Sequence, residues 1–367
     1  MAGTHAVRSK LTTLGTALLF LLITFLGYEN VLLNERIDSN DARVSDIATR
    51  FIEHRREALS RDEMGSVRSH IEGLLQSALQ RVSKLENRSG ATARVIGSAL
   101  PSVIFLQGAY RFEDEKIGRP LRYMVGPDGQ PVMTLGGPAM SVKGDGPVVE
   151  LQFTGTAFVA TEDRLLITNR HLVRPWEEDD AAKMLISRGF VPVMYRLVGY
   201  VPGKAEPIDV ELFGMSDEAD VAILKSDDLP PEIPSLNLNP VVPEPGESVI
   251  VMGYPTGMQA LLVRAGHRFV DELRQAQHVD FWRVARELSN QSHINPLASL
   301  GIVGQATATF VVYDAETARG GSGGPVLGLD GRVLAINSAV IPGFNGSNLG
   351  VPIEQALRLL DGLIEQS

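Results

Sequence analysis

The chain is predicted to be an all-β protein carrying helical additions, and three observations support this. Short apolar runs recur at residues 102–106, 121–125, 148–153, 157–160, 165–167, 191–198, 221–224 and 248–252, punctuated by Gly, Pro and Asp. That is how a barrel or sandwich of short strands reads. Ahead of them, residues 35–87 are charged and helix-prone, and residues 11–27 contain no charge at all.

The uncharged run comes first. At about 1.5 Å per residue it spans roughly 25 Å, slightly under the ~30 Å hydrocarbon core of a bilayer. Residues 1–28 are therefore expected to be a membrane anchor or signal segment. The uncleaved anchor is favoured because no small-x-small pair closes the run, while bulky Tyr28, Val31, Leu32 and Leu33 follow it. Arg8 and Lys10 precede it, which keeps the amino terminus in the cytoplasm and places the rest of the chain outside. In a bacterium the expected site is the inner membrane, periplasmic side.

Residues 29–92 are expected to form a helical stalk and linker. Val44, Ile47 and Phe51, then Val67, Ile71, Leu74 and Ala78, are spaced alternately three and four apart, a stripe that must bury one face. It can pack on the stalk itself, on the following domain, or in a homo-oligomer. A polar, small-residue stretch at 87–92 puts the start of the β domain near residue 93. Residues 114–116 and 126–129 fall in an extended insertion among its first strands.

A second insertion covers residues 258–298. Helical periodicity is strongest from Arg268 to Leu288, with Phe269, Val270, Leu273, Phe281, Trp282, Ala285 and Leu288 on one face. The plain expectation is a decoration packed on the second half of the domain. The alternative is a lid near the substrate cleft.

Composition excludes several classes of function. A net charge of −10 argues against nucleic acid as a partner, and the absence of cysteine removes disulfides, thiolate metal sites and a cysteine nucleophile. At 44% hydrophobic and 21% charged residues, the chain is not disordered.

Three segments carry chemistry. Gly320-Gly321-Ser322-Gly323-Gly324-Pro325 offers a serine hydroxyl framed by glycines that let backbone N–H groups approach a reacting carbonyl. Leu165-Leu166-Ile167-Thr168-Asn169-Arg170-His171 is an apolar strand ending in a polar turn that carries a histidine, the candidate general base. Ala219-Asp220-Val221-Ala222-Ile223-Leu224 places an aspartate at the mouth of a strand, where it can orient an imidazole. Asp217 is the rival acid, but no apolar strand follows it directly.

The order His171, Asp220, Ser322 and its local contexts resemble the chymotrypsin-like serine proteases of the HtrA/Deg type. Gly155-Thr156-Ala157-Phe158-Val159, Met252-Gly253-Tyr254-Pro255-Thr256-Gly257, Tyr313-Asp314-Ala315, Ala335-Ile336-Asn337-Ser338-Ala339 and Leu349-Gly350-Val351-Pro352-Ile353 are similar to further stretches of that family. The likeness covers roughly residues 95–358. It implies a protease domain over 93–367, built as two six-stranded antiparallel β-barrels with the active site between them; the expected lack of a PDZ domain after it is a departure from the family's pattern. It also implies a serine endopeptidase acting on protein or peptide substrates, with no metal or cofactor. Gly320 and Ser322 would supply the oxyanion donors. Glu316, Thr317 and Ala318 would line the primary pocket, and Ser338, Ala339 and Val340 would pair with the substrate backbone. If Glu316 faced into the pocket it would favour a basic side chain; the favoured reading turns it outward and leaves a small aliphatic pocket. Gly321 departs from the usual asparagine or aspartate, and Arg319 also departs from the pattern. The competing function is a protease-fold peptide-binding or chaperone module with weak or gated catalysis.

Overall fold

Strand β1 (Val103–Asp114) is apolar on both faces because each face meets a different core. Val103 and Phe105 join one buried cluster, whereas Ile104 and Leu106 join another. The same alternation runs through β6 (Leu151–Ala160), where Phe158 and Ala160 face the first cluster and Ala157 and Val159 the second. A strand buried on both faces reads as a continuous hydrophobic run, which is why these stretches stand out in the sequence. The structure, a computed structural model, describes residues 90–135, 137–161, 163–276, 279–318, 320–340 and 348–365. Within 320–340, the side chains of Ala339 and Val340 are not described.

Between β1 and β6, short pairs join β2 (Arg122–Tyr123) to β5 (Met140–Ser141) and β3 (Met133–Thr134) to β4 (Gly137–Pro138), forming the expected first insertion. After β6 come β7 (Leu165–Thr168), β8 (Phe190–Tyr200), β9 (Ile208–Asp209), β10 (Glu211–Met215) and β11 (Ala222–Lys225). They form a seven-stranded sheet in the order β10-β11-β7-β6-β1-β8-β9. The expectation of two closed six-stranded barrels therefore needs correction here. The segment that would close the first barrel bends at Val210: its first half pairs with β8 and its second half with β11, leaving both as sheet edges.

The second unit of sheet is closed. Strands β12 (Ser248–Gly253), β13 (Leu297–Ala306), β14 (Val311–Tyr313), β15 (Pro325–Gly328), β16 (Val333–Val340) and β17 (Asn348–Pro352) form a six-stranded barrel in the order β12-β13-β14-β17-β16-β15. Val249, Val251, Val303, Val311 and Val326 fill its interior. Ile250 and Met252, on the opposite face of β12, join Phe105, Phe158 and Tyr200 in the cluster shared with the first sheet. Alternation along the strands thus fuses the two sheets across one apolar layer, with the site at its edge.

Helices α1 (Arg170–Val173) and α2 (Asp180–Ser187) follow β7, and α3 (Met258–Gln275) and α4 (Phe281–Asn290) make up the second insertion. Helicity starts at Met258, ten residues before the expected start, is kinked at Gly266 (φ 85°), and is interrupted before Phe281, where the Asp280 side chain accepts from the Arg283 N–H. The insertion docks on the first sheet, correcting the expectation that it decorates the second. The Gln107 side chain of β1 donates to the Phe281 carbonyl at 2.7 Å, Arg196 of β8 stacks 4.7 Å from the Trp282 ring centre, and Ser289 donates to the Lys204 carbonyl. Leu261, Phe269 and Leu288 complete the shared cluster.

A last helix, α5 (Ile353–Ile364), was not expected; Ile353, Ala356 and Leu360 bury one side of it in the same cluster. Residues 90–99 are helical too, with Val95 and Ala99 buried, so the stretch at 90–92 belongs to the folded domain rather than to a linker. The expected anchor and the rest of the stalk lie outside the described residues. Among the described residues no helix is long and apolar enough to cross a membrane.

Candidate active site

Strands β7 and β11 are antiparallel neighbours with Thr168 opposite Ala222. The residues just beyond these ends, His171 and Asp220, are therefore brought together by register alone. Asn169 locks the junction by donating to the Asp220 carbonyl at 2.9 Å. The Asp220 carboxylate then receives three donors. The His171 backbone N–H lies 3.0 Å from Oδ1, the imidazole Nδ1 lies 2.9 Å from Oδ2 and 3.1 Å from Oδ1, and the Ser338 hydroxyl lies 2.6 Å from Oδ2. A carboxylate on Nδ1 holds the proton there and leaves Nε2 as the basic nitrogen.

The electrostatics follow from this packing. Burial is the largest influence on His171 and disfavours its charged form, but the hydrogen bond and charge of Asp220, with Glu178, outweigh it and hold the imidazole above its ordinary pKa. Burial likewise opposes charge on Asp220, and its contacts with His171 and Ser338 outweigh that and hold the carboxyl below its ordinary value. Asp217 is not part of this arrangement: its side chain is 92% exposed and reaches only Arg170, at 3.4 Å.

The Ser322 loop is fastened to both sheets. Thr156 of β6 donates its N–H to the Ser322 carbonyl and its hydroxyl to the Gly320 carbonyl, each at 2.8 Å, and its hydroxyl accepts from the Tyr254 N–H. On the other side the Gly323 N–H donates to the Asn337 carbonyl, and the Asn337 side chain donates to the Gly321 carbonyl at 2.7 Å. Gly320 has φ 94°, and a Cβ there would stand 2.5 Å from the Tyr254 carbonyl oxygen and 2.8 Å from the Gly257 nitrogen. Gly320→Ala is expected to cost about 1–3 kcal/mol from backbone strain alone, before the clash, and to lower the thermal melting midpoint. Gly321 has its own reason to lack a side chain, since Thr317 Oγ1 and the Asn337 amide fill the space.

The Ser322 hydroxyl donates to the Ser338 carbonyl at 2.7 Å, not to His171. Both side chains nevertheless line one cleft of about 660 Å³, together with Phe153, Thr154, Leu172, Thr317, Ala318, Gly320, Asn337 and Ser338. Of the three residues expected in the primary pocket, Thr317 and Ala318 are in this cleft. Glu316 is exposed and lines a neighbouring pocket of about 270 Å³ that Thr317 and Ala318 also line, with Val251, Pro255 and Leu297, while its carbonyl accepts from Ser299. Ala339 and Val340 continue β16, where they pair with Leu349 and Asn348. Arg319 lies outside the described residues. Among the described residues, none of 258–298 lines the cleft, while Leu297 and Ala298 line the neighbouring pocket. Among the described residues no group of three or more His, Asp or Glu side chains forms a metal-binding cluster.

Sequence reasoning had not assigned site roles to Thr156, Asn337 or Tyr313, whose hydroxyl donates to Asn337 Oδ1 at 2.6 Å. All three are buried. Their only trace in the sequence was membership of the quoted motifs.

The family profile described as Trypsin-like peptidase domain matches residues 155–336. The chain is 28% identical over 220 residues to a "Probable periplasmic serine endoprotease DegP-like" of Hahella chejuensis, covering 58% of this chain and 36% of that protein. It is 24% identical over 319 residues to the protein of the same description from Chlamydia pneumoniae, covering 83% of this chain and 54% of that one. It thus spans between about a third and about half the length of these curated relatives. Among solved structures, the Rv3671c protease from M. tuberculosis in its active form aligns over 73% of this chain and 83% of that chain, with a TM-score of 0.43 and 17% identity.

Proposed function

We propose that this chain, whose residues 155–336 match the trypsin-like peptidase domain, is a serine endopeptidase of the DegP type, hydrolysing peptide bonds in protein substrates. The observation that carries the reading is the Asp220 carboxylate on His171 Nδ1 at 2.9 Å, with Ser322 in the same cleft. In this mechanism Ser322 Oγ turns from the Ser338 carbonyl toward His171 Nε2, exchanging one hydrogen bond for another. It then attacks the substrate carbonyl carbon as its proton passes to Nε2. The resulting oxyanion is held by the Gly320 and Ser322 N–H groups, each such donor being worth about 3 kcal/mol in the transition state. His171 returns the proton to the departing amine, and a water repeats both steps on the acyl-enzyme. Asp220 holds the imidazole and stabilises its cation. A fluorophosphonate probe tests the reading: it labels Ser322 in the intact chain, and absence of labelling under any condition overturns it.

One observation favours a second reading, a peptide-binding module whose catalysis is gated. The Ser322 hydroxyl rests on a backbone carbonyl rather than on the base. Persistent peptide binding by a chain that never labels would put this reading first.

For specificity, the pocket is read as small and apolar at Thr317 and Ala318, with Ser338, Ala339 and Val340 of β16 pairing with the substrate as an added strand. The exposed position of Glu316, beside Leu297 and Pro255, supports this. Glu316→Gln is expected to leave the ratio of cleavage after Val or Ala to cleavage after Lys or Arg within two-fold; a basic preference lost in the variant would return Glu316 to the pocket. The extracytoplasmic location rests on Arg8 and Lys10 ahead of residues 11–27 and agrees with the relatives' periplasmic names. Membrane tethering through 11–27 and oligomerisation through the stalk belong to the same reading.

A further inference from the structure

Asn337 is 2% exposed and makes three side-chain hydrogen bonds beneath the Ser322 loop. Oδ1 accepts from the Tyr313 hydroxyl at 2.6 Å, and Nδ2 donates to the Gly321 carbonyl at 2.7 Å and to Thr317 Oγ1 at 3.2 Å. Tyr313 is buried at 1% exposure and burial pushes its phenol far above its ordinary pKa, so it remains a donor at any working pH. The Gly321 carbonyl can only accept and so takes Nδ2, while the un-ionised phenol gives its proton to Oδ1; the two contacts together fix the orientation of the Asn337 amide.

The consequence lies in the next peptide group. The Gly321 carbonyl and the Ser322 N–H belong to one planar trans amide, whose C=O and N–H point in opposite directions. Drawing the carbonyl down onto Asn337 turns the Ser322 N–H the other way. That N–H finds no acceptor among the described residues, and Ser322 lines the open cleft. Gly324 N–H also reaches the Gly321 carbonyl, at a longer 3.1 Å. A Cβ at Gly321 would clash with Thr317 Oγ1, the other group that Asn337 Nδ2 bonds.

We propose that Asn337, itself oriented by Tyr313, is a positioning residue that aims the Ser322 N–H at the oxyanion of the substrate. This rests on the serine-peptidase reading and extends it to a buried pair outside the His171, Asp220 and Ser322 set. Asn337→Asp keeps the acceptor for Tyr313 but replaces the donor with an acceptor facing the Gly321 carbonyl. The Gly324 N–H remains, so the Ser322 N–H is misaimed rather than lost.

The test is the second-order rate of fluorophosphonate labelling at Ser322, measured across pH, in the full chain. Asn337→Asp is expected to lower the rate by about 10–100-fold where the new carboxyl is ionised, somewhat less than the ~10²–10³ seen when an oxyanion donor is removed outright, with less loss at low pH where the protonated carboxyl can again donate to Gly321. The acid limb of the profile is expected to stay in place, because Asn337 touches neither His171 nor the Asp220 carboxylate. A rate within two-fold of the parent overturns the inference while leaving the peptidase reading intact, and so does a loss accompanied by a shifted acid limb, which marks general disruption of the site. A parent chain that does not label overturns the peptidase reading and the inference with it. If Asn337→Asp does not fold, Tyr313→Phe carries the test: removing the one hydroxyl that orients the amide is expected to slow labelling several-fold with the acid limb unmoved, and an unchanged rate overturns the inference.

Discussion

Replacing Ser322 with alanine is expected to lower kcat for peptide hydrolysis by about 10⁶ and to abolish fluorophosphonate labelling, with little change in stability. The size follows from what the hydroxyl alone supplies. Without Oγ there is no acyl-enzyme, His171 has no proton to accept, and water must attack directly. The Gly320 and Ser322 N–H groups remain, because both are backbone, and their residual stabilisation of an oxyanion keeps the rate about 10³–10⁴-fold above the uncatalysed one. The fold has little reason to notice. The Ser322 side chain makes one hydrogen bond, to the Ser338 carbonyl, worth about 1 kcal/mol net, whereas the loop is held by backbone and side-chain contacts of Thr156 and Asn337. Hydrolysis of a quenched protein substrate and the thermal midpoint, measured side by side, check both halves. Residual hydrolysis within tenfold of the parent would mean that Ser322 is not the nucleophile.

What could be read from the chain beforehand divides along a physical line. Features set by local pattern were legible. Strands β1, β6, β7, β11 and β12 stand out because residues on both of their faces are buried, and His171, Asp220 and Ser322 each sit close to a boundary between strand and turn. Features set by pairing at a distance were not. Whether Ile208–Met215 runs straight or bends at Val210 depends on the strands on either side of it, and no residue in the segment signals it. The insertion's apolar face was legible, but its docking on Gln107 and Arg196 needed the other surface. Helix α5, with Ile353, Ala356 and Leu360 at helical spacing, follows β17 with no loop between them, so no connecting segment marks its start. Asn337 is the clearest case. A buried polar residue in an apolar strand carries no label for what it bonds, and its partners, Tyr313, Thr317 and Gly321, come together only once the barrel closes.

Asp220→Asn is expected to lower kcat/KM by about 10⁴-fold near neutral pH and to move its acid limb to lower pH. The first effect is one of tautomer. An amide can offer its NH₂ to Nδ1, which places the imidazole proton on Nε2 and removes the base that Ser322 needs. The second effect follows from the balance at His171. In the parent, Asp220 and Glu178 outweigh burial and hold the imidazole above its ordinary 6.5, so the acid limb lies above that value. Without the Asp220 charge, burial dominates and the pKa falls. The same pair sets a stability window. His171, with a raised pKa, contributes stability that is full below its unfolded value and fades as pH rises through its folded value. Asp220, with a lowered pKa, contributes stability present above its ordinary 3.8 and lost as pH falls through its folded value. Both contributions are in place between about pH 4 and 6.5, so the melting midpoint of Asp220→Asn should fall furthest behind the parent in that window and recover part of the gap above it. An acid limb that stays put in the variant, or a gap in melting midpoint that is flat from pH 4 to 9, would show that Asp220 does not set the charge state of His171.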